Sequence, residues 1–322
     1  MRIALVCATL LAAACGTEYT PGGNGGTPDG GGPGPGADGG TGTPDAPPPP
    51  AGYTRLIEGS WSLPGGSGDV YRCVRLTVPT DTYVTNIQAV APLGTHHTVL
   101  SISDGGTAGP DGEYACDVNE LGMVMLYASG VGTSPLDFPA GVGVKIAAGT
   151  QIHLNLHLFN ASDVPRTATS GLDVKAQTTP PAQLAEMVFA GTYGIYLSSN
   201  NTTTNVTGGC TENTSYSLFA VWPHMHQLGT HMKVTHKRST TTTVLHDGVF
   251  DFGEQYYYPK DPVVQVQSGD VIRVTCSFLN NTGRTVLFGE SSESEMCFSG
   301  MYRYPAAGSG LFDCVSNLPL TP

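Results

Sequence analysis

The chain has 322 residues with 26 acidic against 14 basic side chains, a net charge of −12, and only 12% of it is charged. Nothing resembles a basic stripe that could neutralise phosphates, so nucleic acid is disfavoured as a partner. Past the N-terminus no apolar run approaches the ~20 residues of a membrane helix. Eight Cys in a chain poor in Lys and Glu point instead to export into an oxidising compartment.

The first element in chain order is MRIALVCATLLAAAC, residues 1–15, with one cation, Arg2, before an apolar run that ends in small residues. That is the pattern of a secretory signal. Leu11 to Gly16 is similar to a bacterial lipoprotein box with Leu11 one place too far from Cys15, which would carry the lipid. Ala12-Ala13-Ala14 also suits ordinary signal peptidase. The expectation is an exported protein, outer-membrane-anchored through Cys15 or else periplasmic or extracellular, that meets a membrane only through that anchor. Residues 16–52 hold 14 Gly and 9 Pro among 37 positions. They cannot form a core and read as a disordered, extended tether.

From Tyr53 onward the texture is all-β. Short alternating runs such as Cys73 to Val78, Thr82 to Ile87 and Val263 to Gln267 predict half-buried strands. Clusters of Pro, Gly, Asn and Asp, for example Asp104-Gly-Gly and Asn280-Asn-Thr-Gly283, separate them. No helix of ten residues is expected. About 270 residues of this kind predict two antiparallel β-sandwiches, 53–179 and 180–322, parted at Thr178-Thr-Pro-Pro181. Ser198 to Thr214, rich in Asn and Thr, reads as an exposed loop.

The chemistry is concentrated in nine His. Six fall in three groups: His96 with His97, His153 with His157, and His224 with His226. A His pair alone is more often a surface or hydrogen-bonding feature than a metal site. Strand spacing argues otherwise here. Residues two apart on a strand project from one face, so His224 and His226 can share a metal, and His153, Asn155 and His157 line one face. Adjacent His96 and His97 cannot share a face unless they sit at a bend or strand end. Imidazole suits zinc, copper, iron or nickel, and spacing alone does not choose.

Four motifs in order supply the choice: Gly94-Thr-His96-His97, Leu154-Asn-Leu-His157, Pro223-His224-Met-His226, and Glu295-Met296-Cys297 followed by Met301-Tyr-Arg-Tyr-Pro305. This series resembles the type II copper, ascorbate-dependent monooxygenases, the family of peptide-amidating and dopamine-hydroxylating enzymes, across essentially all of 53–322. The resemblance implies two jelly-roll-like sandwiches with one copper each, two per chain. It assigns His96, His97 and His157 to an electron-transferring copper, and His224, His226 and the Met296 thioether to the copper that meets dioxygen. A soft neutral sulfur favours Cu(I). Taken alone, Met296 would read as a core methionine beside a disulfide. His153 reads as a neighbour of the ligands or a surface residue, and His231, His236 and His246 as structural or exposed. Tyr71 matches a family tyrosine beside the first copper, and Asn155 is expected to hydrogen-bond near it.

Six Cys remain beyond Cys15, with fifteen possible connectivities. The sandwich boundary forces Cys73–Cys116 if every pair stays within one sandwich. By resemblance the others are Cys276–Cys297 and Cys210–Cys314.

Where the peptide-amidating enzyme grips a carboxylate with Arg, Asn and Tyr, this chain has Trp222, Phe298 and Gly300, so a peptidylglycine substrate is disfavoured. The reading is a copper monooxygenase that hydroxylates a C–H bond of a small molecule with O2 and an ascorbate-like reductant. The alternatives are a non-catalytic copper-binding lipoprotein, a scavenger or electron carrier, and a sandwich adhesin with incidental His clusters.

Overall fold

Apolar alternation becomes strand wherever it is longest. In Val271–Leu279 the side chains of Ile272, Val274, Cys276 and Phe278 are buried and their neighbours are not, so one face of the pleat meets the core and the other meets polar surroundings. The computed structural model describes residues 46–321 apart from 119, 123, 131 and 292. The signal segment, Cys15 and most of the tether, residues 1–45, lie outside the described residues. Among those described there are strands and turns and no helix.

The strands fall into two sets. In the first, Thr54–Leu63, Arg166–Gln177, Thr82–Val90, Val142–Ile146 and Gln183–Leu184 form one sheet in that order, with Leu136–Asp137 beside Thr82–Val90. Its companion runs Gly112–Ala115, Ser67–Thr77, Gln151–Asn160, Thr95–Ile102, Val124–Ser129. The two sheets touch at Gly59, where a Cβ would lie 2.7 Å from Val74 Cγ2; only glycine permits that approach. Pairing to this set continues through Gln183–Leu184, which runs parallel to Val142–Ile146.

The second set has a sheet ordered Tyr258–Val266, Tyr216–His224, Cys297–Tyr304, Glu186–Thr192, Cys314–Ser316, and a four-stranded sheet ordered Thr203–Thr211, Val271–Leu279, Gly229–Arg238, Thr241–Val249. Cys314–Ser316 is its parallel strand. The expected loop at Ser198 to Thr214 is corrected, because Thr203–Thr211 pairs along its full length with Val271–Leu279. Its β-branched Thr favour a pleat, and Val206 supplies a buried contact that the polar composition hid.

Three disulfides brace the sheets: Cys73–Cys116, Cys210–Cys314 and Cys276–Cys297. The two sets share a core, in which Leu100, Tyr127 and Leu156 of the first lie in one cluster with Phe219, Trp222, Tyr257 and Tyr302 of the second. The Tyr302 hydroxyl donates to Leu126 O at 3.1 Å, and the Tyr257 hydroxyl accepts from Ala128 N at 3.1 Å. Two buried phenols thus satisfy the backbone of Val124–Ser129 across the seam.

Candidate metal centre

The first cluster is built on the centre of a sheet. Gln151–Asn160 lies between Ser67–Thr77 and Thr95–Ile102, which places Tyr71 opposite His157 on one side and His97 opposite it on the other. Adjacent His96 and His97 are reconciled by a register shift between Thr95 and His97. The extra residue of a bulge breaks the alternation, so both rings turn the same way. The bulge is anchored from behind. Gly94 has φ +110° and lies under the Trp61 ring; Trp61 Nε1 donates to Ser170 Oγ at 2.7 Å, and Ser170 Oγ is also 2.7 Å from Thr95 Oγ1.

In consequence the Nδ1 atoms of His96 and His97 each lie 3.3 Å from His157 Nδ1, and all three rings offer a nitrogen within 4.8 Å of the others. Burial, with the His157 ring next in weight, pushes the His96 imidazole down to about 4. Burial also holds His97 well below its ordinary value. Neutral imidazoles converging through one nitrogen each are donors suited to a borderline or soft cation. Behind the cluster, His157 Nε2 donates to Asp69 Oδ1 at 2.8 Å, which leaves Nδ1 as the free donor. Asp69 is aimed there by a second register shift, between Ser67 and Val70. Tyr71 stacks on His157, centroids 4.6 Å apart and planes 8° apart, and burial pushes its hydroxyl up to about 12.

The second group sits at a strand end. His224 is the last residue of Tyr216–His224, and His226 lies beyond it in the turn before Gly229. The strand expected to carry both therefore stops one ring short, yet alternation persists: Met225 is fully buried, and the two rings stand edge to face, 5.3 Å apart. Glu295 fixes that turn. Its carboxylate accepts from His226 N at 2.9 Å and Leu228 N at 2.6 Å, and desolvation pushes it up to about 7 against the pull of those bonds. His224 Nδ1 donates to Gln255 Oε1 at 2.8 Å and His226 Nδ1 to Ser294 O at 3.1 Å, so with the hydrogen on Nδ1 each ring carries its lone pair on Nε2. Burial holds His224 below its usual value and brings His226 down to about 3. Met296, 7% exposed, lines the same cavity as both.

That cavity, about 270 Å³, is also lined by His97, His157, Trp222 and Phe298. The segment 250–257 wedges between the two groups. Phe252 packs on His96, His97 and His226, and the Gln255 amide nitrogen lies 2.8 Å from His97 Nε2. His97 Nε2 here accepts from that amide. A ring bound to metal through Nδ1 carries its hydrogen on Nε2, so Gln255 would then have to turn its oxygen to His97 and give up the bond it accepts from His224 Nδ1.

Other expected residues lie elsewhere. His153 is fully buried, neither surface nor touching a ligand ring, and Nε2 is 2.9 Å from the Tyr114 hydroxyl. Asn155 lines the cavity but donates to Asp117 O and Glu120 O. His231 pairs with Asp247, His236 is buried on Asp270, and His246 packs against Tyr258. Asp69, Phe252 and Gln255 carry no local sequence signal, because each reaches the site through a bulge or a loop set by distant strands.

A family model for the copper type II ascorbate-dependent monooxygenase C-terminal domain matches residues 182–321. Peptidyl-glycine alpha-amidating monooxygenase A of Xenopus laevis is 26% identical over 272 residues, 77% of this chain but 28% of that protein; the chain spans under a third of its relative's length. Among solved structures, the major capsid protein P2 of bacteriophage PM2 is 12% identical with a TM-score of 0.33, covering 77% of this chain and 97% of that one. The VP2 subviral particle of infectious bursal disease virus is 10% identical with a TM-score of 0.19, covering 83% and 74%. Likenesses at that level carry no argument.

Proposed function

We propose, from the premise that residues 182–321 belong to the copper type II ascorbate-dependent monooxygenase family, that the chain is an exported, two-copper monooxygenase. It would hydroxylate an unreactive C–H bond with O2 and a small ene-diol reductant such as ascorbate. His96, His97 and His157 would hold one copper through Nδ1, and His224 and His226 through Nε2 with the Met296 thioether would hold the other. The two sheet sets, 53–179 with its Gln183–Leu184 extension and the remainder to 322, would act as the two copper-bearing sandwiches. Three disulfides suit an oxidising compartment, and Cys15 would anchor the chain by its lipid.

When bound, copper supplies one-electron redox chemistry and dioxygen activation. The protein's own residues do the rest. Asp69 holds the His157 tautomer, Glu295 ties down the His226 turn through backbone N–H groups, and Trp222 stacks on His224 at 5.1 Å to fix its plane. The apolar cavity walls exclude water from the reacting centre.

One observation carries this reading. Two separate donor sets meet at a single cavity: His97 and His157, with His96 clustered beside them, on one wall, and His224 and His226 with the Met296 thioether on the other. The test is oxygen uptake by copper-loaded protein with ascorbate across a panel of small organic molecules. Uptake that rises with a substrate and yields its alcohol supports the proposal. Tight copper with no substrate-dependent uptake replaces it with the non-catalytic copper carrier.

A further inference from the structure

The wall of the cavity names a class of molecule. On one side stand Val118, Leu121 and Met125, and on the other Phe189, Trp222 and Phe298. Phe189 and Phe298 are stacked 5.3 Å apart, and both are under 5% exposed. Among the described lining residues there is no Lys or Arg, and the one carboxylate is Glu290, an exposed residue. An anion entering this space would lose its hydration with no Lys or Arg side chain to meet it, and an ammonium would leave water for a mostly hydrocarbon wall. A dry apolar cavity of about 150 Å³ takes a benzene ring; about 270 Å³ takes a ring with a short alkyl arm.

We infer that the substrate is a compact, uncharged, mainly apolar molecule with a ring and a short alkyl arm, seated between the two histidine groups. The inference rests on the monooxygenase reading for its chemistry and on the cavity alone for its binding. The reaction balances as R–H + O2 + two electrons + two protons giving R–OH + H2O. One C–H bond breaks and one C–O bond forms, the second oxygen atom leaves as water, and the ene-diol reductant supplies the electrons one at a time.

The test uses the full chain stripped of copper, with quenching of Trp222 fluorescence as the readout. The probes are three molecules of similar size: propylbenzene, phenylacetate and phenethylamine. Propylbenzene should bind at least tenfold tighter than either ion, and Phe298→Asn should weaken it at least tenfold. Leu121→Lys, on a partly exposed loop, should bring phenylacetate level with propylbenzene by placing a cation in the wall. Equal or tighter binding of phenylacetate or phenethylamine to the parent overturns the inference, as does propylbenzene binding that neither variant alters. Copper content of the same preparation is read separately. Propylbenzene binding in a chain that takes up no copper would sink the monooxygenase reading and leave the apolar site standing, whereas copper uptake without propylbenzene binding does the opposite.

Discussion

The two histidine groups face one cavity but differ in what stands behind each ring. In the first, the backbone itself aims the rings: a bulge turns His96 beside His97, and His157 is the cross-strand partner of His97. A carboxylate, Asp69, accepts from His157. In the second, the strand has ended, a buried Glu295 holds the turn, and the rings donate to a neutral amide and a backbone carbonyl. Met296 lines the same cavity and offers a thioether. A carboxylate behind an imidazole raises its basicity and favours the harder Cu(II), whereas neutral partners and soft sulfur favour Cu(I). Under the proposed two-copper reading, that difference would separate a site for cycling electrons from one for meeting dioxygen.

The largest effect should come from erasing that difference at its softest point. Met296→His should keep copper, since imidazole is a good ligand, yet lower turnover by more than the ~10–100-fold that an outer partner is worth. Full turnover in the copper-loaded variant would remove the thioether from the account. Next is the brace beside it. Replacing Cys276 and Cys297 by Ser frees a link of 21 residues, a loss of about 3 kcal/mol by chain entropy, measured by urea unfolding. Copper at the second group should weaken before copper at the first; equal weakening would show that the disulfide does not serve Met296.

Asp69→Asn sharpens the comparison from the other side. It should weaken copper at the first group ~10–100-fold and leave the second unchanged in competition titrations, with Asp69→Glu recovering part of the loss. The smallest expected effect concerns a histidine that belongs to neither group. Burial, then Arg75, brings His153 down to about 4, so below its unfolded value near 6.5 only the unfolded chain takes up the proton. Its contribution is therefore complete above that value and falls as the pH drops toward 4. Between pH 7 and pH 5.5 the loss should be about 1 kcal/mol, and His153→Gln should flatten that slope; an unchanged slope would assign it to other groups.

What was legible in the sequence was what alternation and motif order encode. Val271–Leu279 is a strand because every second residue is apolar, and His224 with His226 and His153 with His157 stood out because their spacing matched a pleat. The misreadings share a cause. Thr203–Thr211 looked like a loop because its outward face is polar, and His226 fell past the strand because the turn tied to Glu295 begins one residue early. His153 gave no sign of burial, since its partner Tyr114 lies on another strand. Asp69 and Gln255 reach the site only because a bulge and a loop deliver them there.

The central claim is that two independent coppers sit in two differently built sites. Copper content per chain, measured on the parent, His157→Ala and His224→Ala after identical loading, tests it most directly. The account predicts about two in the parent and about one in each variant, by the ligand count one site needs, with the His157→Ala chain keeping the thioether-bearing site and the His224→Ala chain keeping the three-imidazole site. One copper in the parent, or either substitution stripping both, would contradict it.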